Sequence, residues 1–214
     1  WQNDKEMIYP DQFIPVLEKN GYVIDVDNFI WNKVCACIKM MEDKGIEPVP
    51  ISVNVSRMHV YQEKFTENLK NMAGEYGIDP KYIPLEITES AFTKEEGSLF
   101  KKVQSLQGYG FKFSMDDFGS GYSSLGMLKS ERVDEVKIDK TFVDDIATDK
   151  GKVLLGNVIR MINELGIDMI AEGVETKEQA DFLKENGCMY AQGYYYYKPM
   201  PIEEFAKLLE NSAR

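Results

Sequence analysis

Six apolar runs of strand length alternate with segments of helical period along this chain, and that alternation restricts the fold more than any other feature of the sequence. The runs are Val49–Val55, Ile83–Thr88, Phe111–Asp116, Val133–Asp139, Asp168–Glu172 and Met189–Gly193. Helices are expected at Val60–Tyr76, Lys94–Tyr109, Lys150–Leu165, Lys177–Asn186 and Ile202–Asn211, with two more ahead of the first strand at Asp11–Asn20 and Val26–Lys44. Thr93-Lys94-Glu95-Glu96 and Thr176-Lys177-Glu178-Gln179 have the form of capping boxes, which mark helix starts. Gly77, Gly110, Gly166 and Gly187 fall where helices should stop. Strand-then-helix alternation means a parallel sheet. No linker or charge block interrupts it, so residues 1–214 read as one domain.

Side chains alternate faces along a strand. Ile51, Val53 and Val55 share one face and Ser52 and Asn54 the other. Leu85 and Ile87 oppose Glu86 and Thr88, Phe113 and Met115 oppose Ser114 and Asp116, and Val136 and Ile138 oppose Lys137 and Asp139. Met169 and Ala171 oppose Glu172, and Gln192 shares its face with Tyr190. Successive strands therefore deliver Asn54, Glu86, Asp116, Lys137, Glu172 and Gln192 to one place near their C-terminal ends. Any one of them alone reads as a solvated strand end; six in phase read as a site. Six strands would suit an open doubly wound sheet and fall two short of a closed eight-stranded barrel. The phase favours the barrel, which keeps its active site at that end.

The residue types indicate the chemistry. Asp116 and Asp117 are adjacent acids at the end of a buried run, hard to solvate and mutually repulsive, and a cation relieves both problems. In isolation they would read as a turn with two solvated carboxylates. Asn54, Glu86 and Asp116 are hard oxygen donors suited to Mg²⁺ or Mn²⁺. Asp117 extends the set toward a second ion, as two-metal phosphoryl chemistry requires. Lys137, among acids, should stay charged and orient a water or steady a phosphoryl oxygen, or else hold the acids apart as a salt bridge. Glu172 is free to act as general base.

Composition removes other classes. The formal net charge is −11 with no Lys/Arg cluster, so a reader of polymeric nucleic acid is not expected. Three cysteines without a Cys-x-x-Cys pair fit a reducing, cytoplasmic compartment, and a membrane anchor upstream is left open. His59 is the only histidine, which argues against a zinc site or a Ser-His-Asp triad. Cys35 and Cys37 stand two apart on a helix and do not share a face. The aromatic run Tyr194–Tyr197 is read as packing rather than base stacking.

With these residues in place, the chain resembles the EAL domains, the cyclic di-GMP phosphodiesterases of bacterial signalling. The likeness runs through Phe13-Ile14-Pro15, Ser52-Val53-Asn54-Val55-Ser56, Leu85-Glu86-Ile87-Thr88-Glu89-Ser90 and the Asp116–Leu125 loop. It continues through Val136-Lys137-Ile138-Asp139, Ala171-Glu172-Gly173-Val174-Glu175, Gln192-Gly193-Tyr194 and Lys198-Pro199-Met200. The resemblance implies a TIM-like (β/α)8 barrel and hydrolysis of cyclic di-GMP to linear pGpG. It implies Asn54, Glu86 and Asp116 on one metal, Asp116 and Asp117 on a second, Lys137 on the attacking water and Glu172 as base. Glu89 would anchor the loop Phe118–Ser124, which the family uses to couple dimerisation to metal binding, and Glu175 and Gln192 would support the site. A homodimer and upstream sensor or cyclase-like domains are implied as well.

One departure stands out. The family's Glu-Ala-Leu motif, whose Glu is a metal ligand, is absent, and Trp1 matches the Trp that usually follows it. The family's first two strands precede that point, so a missing N-terminal segment is expected and the domain is read as incomplete. The alternative function is a catalytically inactive cyclic di-GMP receptor or interaction module. A barrel of unrelated metal chemistry, with Lys137 as an enolising base, is a third reading.

Overall fold

A computed structural model describes residues 8–88, 96–119, 128 and 133–212. Two helices, α1 (Pro10–Asn20) and α2 (Val23–Asp43), lead into β1 (Val53–Asn54), α3 (Arg57–Tyr61) and α4 (Phe65–Tyr76). There follow β2 (Leu85–Thr88), α5 (Glu96–Gln107), β3 (Phe113–Phe118), β4 (Glu135–Ile138), the short α6 (Lys140–Asp144) and α7 (Asp149–Glu164). The described chain closes with β5 (Asp168–Ala171), α8 (Lys177–Glu185), β6 (Tyr190–Ala191) and α9 (Ile202–Ser212).

The six strands lie side by side in sequence order and every pairing is parallel. A doubly wound sheet reverses its strand order at a switch point. Here the order never reverses, which is the winding of a barrel. Among the described residues, β1 and β6 each have a neighbour on one side only.

Local chemistry accounts for the element boundaries. At the start of α8, Thr176 Oγ1 accepts the Gln179 N–H while Gln179 Oε1 accepts the Thr176 N–H, the reciprocal capping box expected there. Thr148 Oγ1 accepts the Gly151 N–H at the start of α7. α4 ends on Gly77 at φ 65°, a left-handed cap that glycine adopts without a Cβ penalty. Thr93 lies outside the described residues. The ladder of the first strand covers two residues, and backbone bonds from the Ile51 N–H to Tyr82 O and from the Val55 N–H to Glu86 O extend it on either side. The helix expected at Val60–Tyr76 begins earlier and breaks at Gln62–Lys64. On one continuous helix His59 and Phe65 would stand about 120° apart. The break lets both turn inward, where His59 (4.4 Å) and Phe65 (6.3 Å) pack on the Trp31 ring.

The outer face of the sheet is the core. Leu85, Ile87, Met115, Val136, Ile138 and Ala171 are fully buried against Leu155, Ile159 and Ile162 of α7 and their counterparts on the other helices. Burying such side chains stabilises by about 1.5–3 kcal/mol each. Cys35 and Cys37 are both buried although they point to different sides of α2. The expectation of packing for Tyr194–Tyr197 is overturned: all four rings are exposed, by 41–62%. The turn after β6 is held by backbone bonds from Tyr196 and Tyr197 to the Gly193 carbonyl, which leave the rings facing outward. Among the described residues no helix is long and apolar enough to cross a membrane.

Helix α2 docks on β1 through a buried acid. Asp27 Oδ2 accepts the Ser56 N–H at 3.1 Å and faces His59 Nε2 at 3.5 Å. Burial pushes its carboxyl up to about 6, against the hydrogen bonds from Ser56 and with a small addition from Glu18. The folded protein therefore holds this proton more tightly than the unfolded chain. The stability so gained is full below the unfolded value and is lost as pH rises from about 4 to about 6. Asp27→Asn should gain stability over the parent across that window and plateau above it, by at most about 3 kcal/mol. Urea denaturation at several pH values checks this; a difference independent of pH would show an unperturbed carboxyl.

Candidate active site

Lys137, on β4, lies at the centre of the site and is 5% exposed. Its Nζ stands 2.7 Å from Glu86 Oε1 of β2, 2.6 Å from Glu172 Oε1 at the end of β5 and 3.8 Å from Asp116 Oδ1 of β3. Four strands thus meet at one ammonium. Gln192, following β6, donates its Nε2–H to Glu172 Oε1 at 2.6 Å and adds a fifth. Burial alone would lower the Lys137 pKa, but Glu86 and Glu172 outweigh it and hold the group above its ordinary value. The lysine is therefore charged at every physiological pH.

The strand register explains the adjacent acids. Met115 pairs with Val136 and Phe118 with Ile138, so Asp116 and Asp117 together oppose the single residue Lys137. That is a β-bulge, which re-aims a side chain that strict alternation would turn outward. Asp117 pays for it with φ 57°, a left-handed conformation that Asp tolerates better than most residues. Both carboxylates consequently line one cleft of about 790 Å³ together with Asn54 and Thr88. Burial pushes the Asp116 carboxyl up to about 6; Lys137 opposes this while Glu86, Glu172 and Asp117 add to it. Asp117 is raised as well, by burial first and then by Asp139.

A second cleft, of about 1070 Å³, opens on the other side of Lys137 and is lined by Glu172, Gln192, Glu175, Ser52 and Lys140. The backbone there is tightly joined: the Glu172 N–H bonds to Ile138 O, and the Gln192 N–H to Ala171 O. Gly173 follows Glu172 at φ 67°, and a Cβ there would stand 2.4 Å from the Lys140 stem. Only glycine allows that approach.

The structure thus joins Glu86, Asp116, Lys137, Glu172 and Gln192 directly and sets Asn54 and Asp117 beside Asp116 in the first cleft. Glu175 stays at the rim, exposed and paired with Lys140 at 3.2 Å, apart from the central lysine. Glu89 lies outside the described residues, as does the loop from Ser120 to Ser124. Sequence reasoning missed Asp139 as part of the site. It caps α6 through the Thr141 N–H and adds negative charge near Asp117. Its signal was the two-residue period that sets it on the face of Lys137.

The donor set fits a divalent cation. Asp116 Oδ1 is buried with no hydrogen-bond partner, and its neighbours are carboxylate and amide oxygens. Among the described residues no three His, Cys, Asp or Glu side chains form a ready cage, since Lys137 stands between the acids. Asn54 and solvent would complete the coordination.

A parallel sheet wound in strict strand order, with acids and a lysine gathered at its strand ends, defines the α/β-barrel class. The EAL domain profile matches residues 1–199, and the chain belongs to the EAL domain family. The probable cyclic di-GMP phosphodiesterase PdeG of Escherichia coli (strain K12) is 33% identical over 203 residues, 94% of this chain and 40% of that protein. A structure titled as the c-di-GMP complex of the phosphodiesterase PaMucR superposes with a TM-score of 0.90 at 30% identity, covering 96% of this chain and 84% of that one. The EAL domain of Mycobacterium smegmatis DcpA does so with a TM-score of 0.82 at 30% identity, covering 87% and 84%. The chain spans only 24–40% of the length of the first curated relatives it matches. The fold is therefore the TIM-like barrel of the EAL type.

Lys137→Met should leave Glu86 and Glu172 buried without their cation and cost about 3–5 kcal/mol. Mn²⁺ should restore part of that loss. Thermal melts of the variant with and without Mn²⁺ measure both effects, and an unchanged melting temperature would show that the acids do not depend on the lysine.

Proposed function

We propose that this chain is the EAL domain of a cyclic di-GMP phosphodiesterase, cleaving one phosphodiester bond to give linear pGpG. The observation that carries the reading is Lys137 held between Glu86 and Glu172, with an unpartnered Asp116 oxygen beside it. The phosphodiesterase names of the relatives support it. Asn54, Glu86 and Asp116 would hold one Mg²⁺ or Mn²⁺, and Asp116 and Asp117 a second. Such ions supply Lewis-acid polarisation of the phosphodiester and acidify a bound water.

The protein's own groups do the rest. Glu172 accepts the proton of the attacking water, and Gln192, bonded to its Oε1, fixes the direction in which it does so. Lys137 cannot act as a base while two carboxylates hold its charge; it orients the water and faces the phosphoryl oxygen as negative charge grows. Glu175 supports the substrate side from the rim. On this reading residues 1–214 belong to one EAL domain, which works as a cytoplasmic homodimer under upstream sensor or cyclase-like domains.

One observation favours the receptor reading: Lys137 already satisfies Glu86 and Glu172 at hydrogen-bonding distance, and the acids form no closed cage. Nucleotide chromatography separates the two. With cyclic di-GMP and Mn²⁺ the intact protein should release pGpG, and chelator should stop it. Glu172→Gln should reduce turnover by about 10²–10⁴-fold while calorimetry shows cyclic di-GMP still bound. Full activity in that variant would remove Glu172 from the mechanism. Binding without any product from the parent would make the domain a receptor.

A further inference from the structure

Asn54 sits on β1, whose two ladder residues are flanked by backbone bonds from the Ile51 N–H to Tyr82 O and from the Val55 N–H to Glu86 O; among the described residues β1 pairs with β2 alone. Asn54 is itself exposed. A ligand that must hold an ion within a few tenths of an ångström also needs its backbone fixed away from the β2 side.

That support comes from α2. The buried Trp31 donates its indole N–H to the Asn54 carbonyl at 2.9 Å. One turn earlier on the same face, Asp27 Oδ2 accepts the Ser56 N–H at 3.1 Å. Both side chains therefore hold the backbone on the C-terminal side of the Asn54 Cα, one at its own carbonyl and one two residues on. Neither can drift. The Trp31 ring is packed in a three-ring cluster with His59 (4.4 Å) and Phe65 (6.3 Å), and Asp27 is 7% exposed.

We infer that Trp31 and Asp27 form a clamp from α2 that positions Asn54, and that the clamp sets the affinity of the first cleft for a divalent cation. They are positioning residues: Trp31 acts through the Asn54 carbonyl, and Asp27, at the wall of the first cleft, through the Ser56 N–H. The inference rests on the reading of Asn54 as a metal ligand.

The test is Mn²⁺ titration of the intact protein without substrate, following free Mn²⁺ by electron paramagnetic resonance, with an apo melting temperature for each variant. Trp31→Phe keeps a packing ring and deletes the donor. It should bind Mn²⁺ about 10- to 100-fold more weakly. Asp27→Ala should weaken binding similarly, and Asp27→Asn, which keeps an acceptor for the Ser56 N–H, should restore it. In the Asn54→Ala background Trp31→Phe should add nothing, because the ligand it positions is gone.

Unchanged Mn²⁺ affinity in Trp31→Phe would overturn the clamp, as would an equal loss with and without Asn54, since either would leave Trp31 a packing residue only. Should Trp31→Phe fail to fold, equal affinity of Asp27→Ala and Asp27→Asn would overturn it independently. A parent protein that takes no Mn²⁺ at all would overturn the metal reading of Asn54, and this inference with it.

Discussion

The ammonium of Lys137 is the group around which this molecule is arranged. Glu86, Asp116 and Glu172 converge on it from three other strands, and without it they would be acids forced together in a poorly hydrated interior. Such a cluster adds little net stability, because desolvating the charges offsets most of their attraction. What it supplies is register. A slip of one residue in any of the strands would turn the polar set outward and the apolar set inward. Charge balance at the centre and hydrophobic burial on the rim therefore favour the same alignment.

The bulge at Asp116 and Asp117 is the one place where that alignment is broken, and it is broken at the site. Two acids opposite one lysine cannot be produced by a regular pleat. The left-handed turn at Asp117 is a local cost of about 1 kcal/mol or more, which the surrounding barrel must absorb. In return the first cleft receives both carboxylates, while Glu172 and Gln192 line the second. Lys137 pairs with an acid of each cleft, Asp116 of the first and Glu172 of the second.

The supporting structure is uneven in a way that follows from the strands. β3 and β4 lie in the middle of the sheet, covered on their outer face by fully buried side chains, and they hold Asp116 and Lys137 rigidly. β1 and β6 lie at the ends and pair over two residues each. Their functional residues need help from elsewhere: Asn54 takes it from Trp31 and Asp27 of α2, and Gln192 from the bond its own amide makes to Glu172.

Much of this was legible in the residue order. The alternation of Leu85 and Ile87 with Glu86, or of Val136 and Ile138 with Lys137, announces a strand with one apolar and one chemical face. Six such strands in phase announce a barrel and the site at its end. The motifs beside them identify the family. Less was legible where a local pattern had two tertiary solutions. Tyr194–Tyr197 is as apolar as a core segment yet stays exposed, because a backbone-bonded turn and not a strand carries it. Val60–Tyr76 has helical period throughout yet breaks so that His59 and Phe65 can reach one indole. Sequence period therefore determined which residues face the site, since the two-residue repeat of a strand is a local property of the backbone. Only the tertiary structure decided that Asp117 joins Asp116, that Glu175 stays at the rim and that α2 holds Asn54. Bulges, rim pairs and clamps depend on atoms distant in the chain meeting at hydrogen-bonding distance, and no local period encodes that.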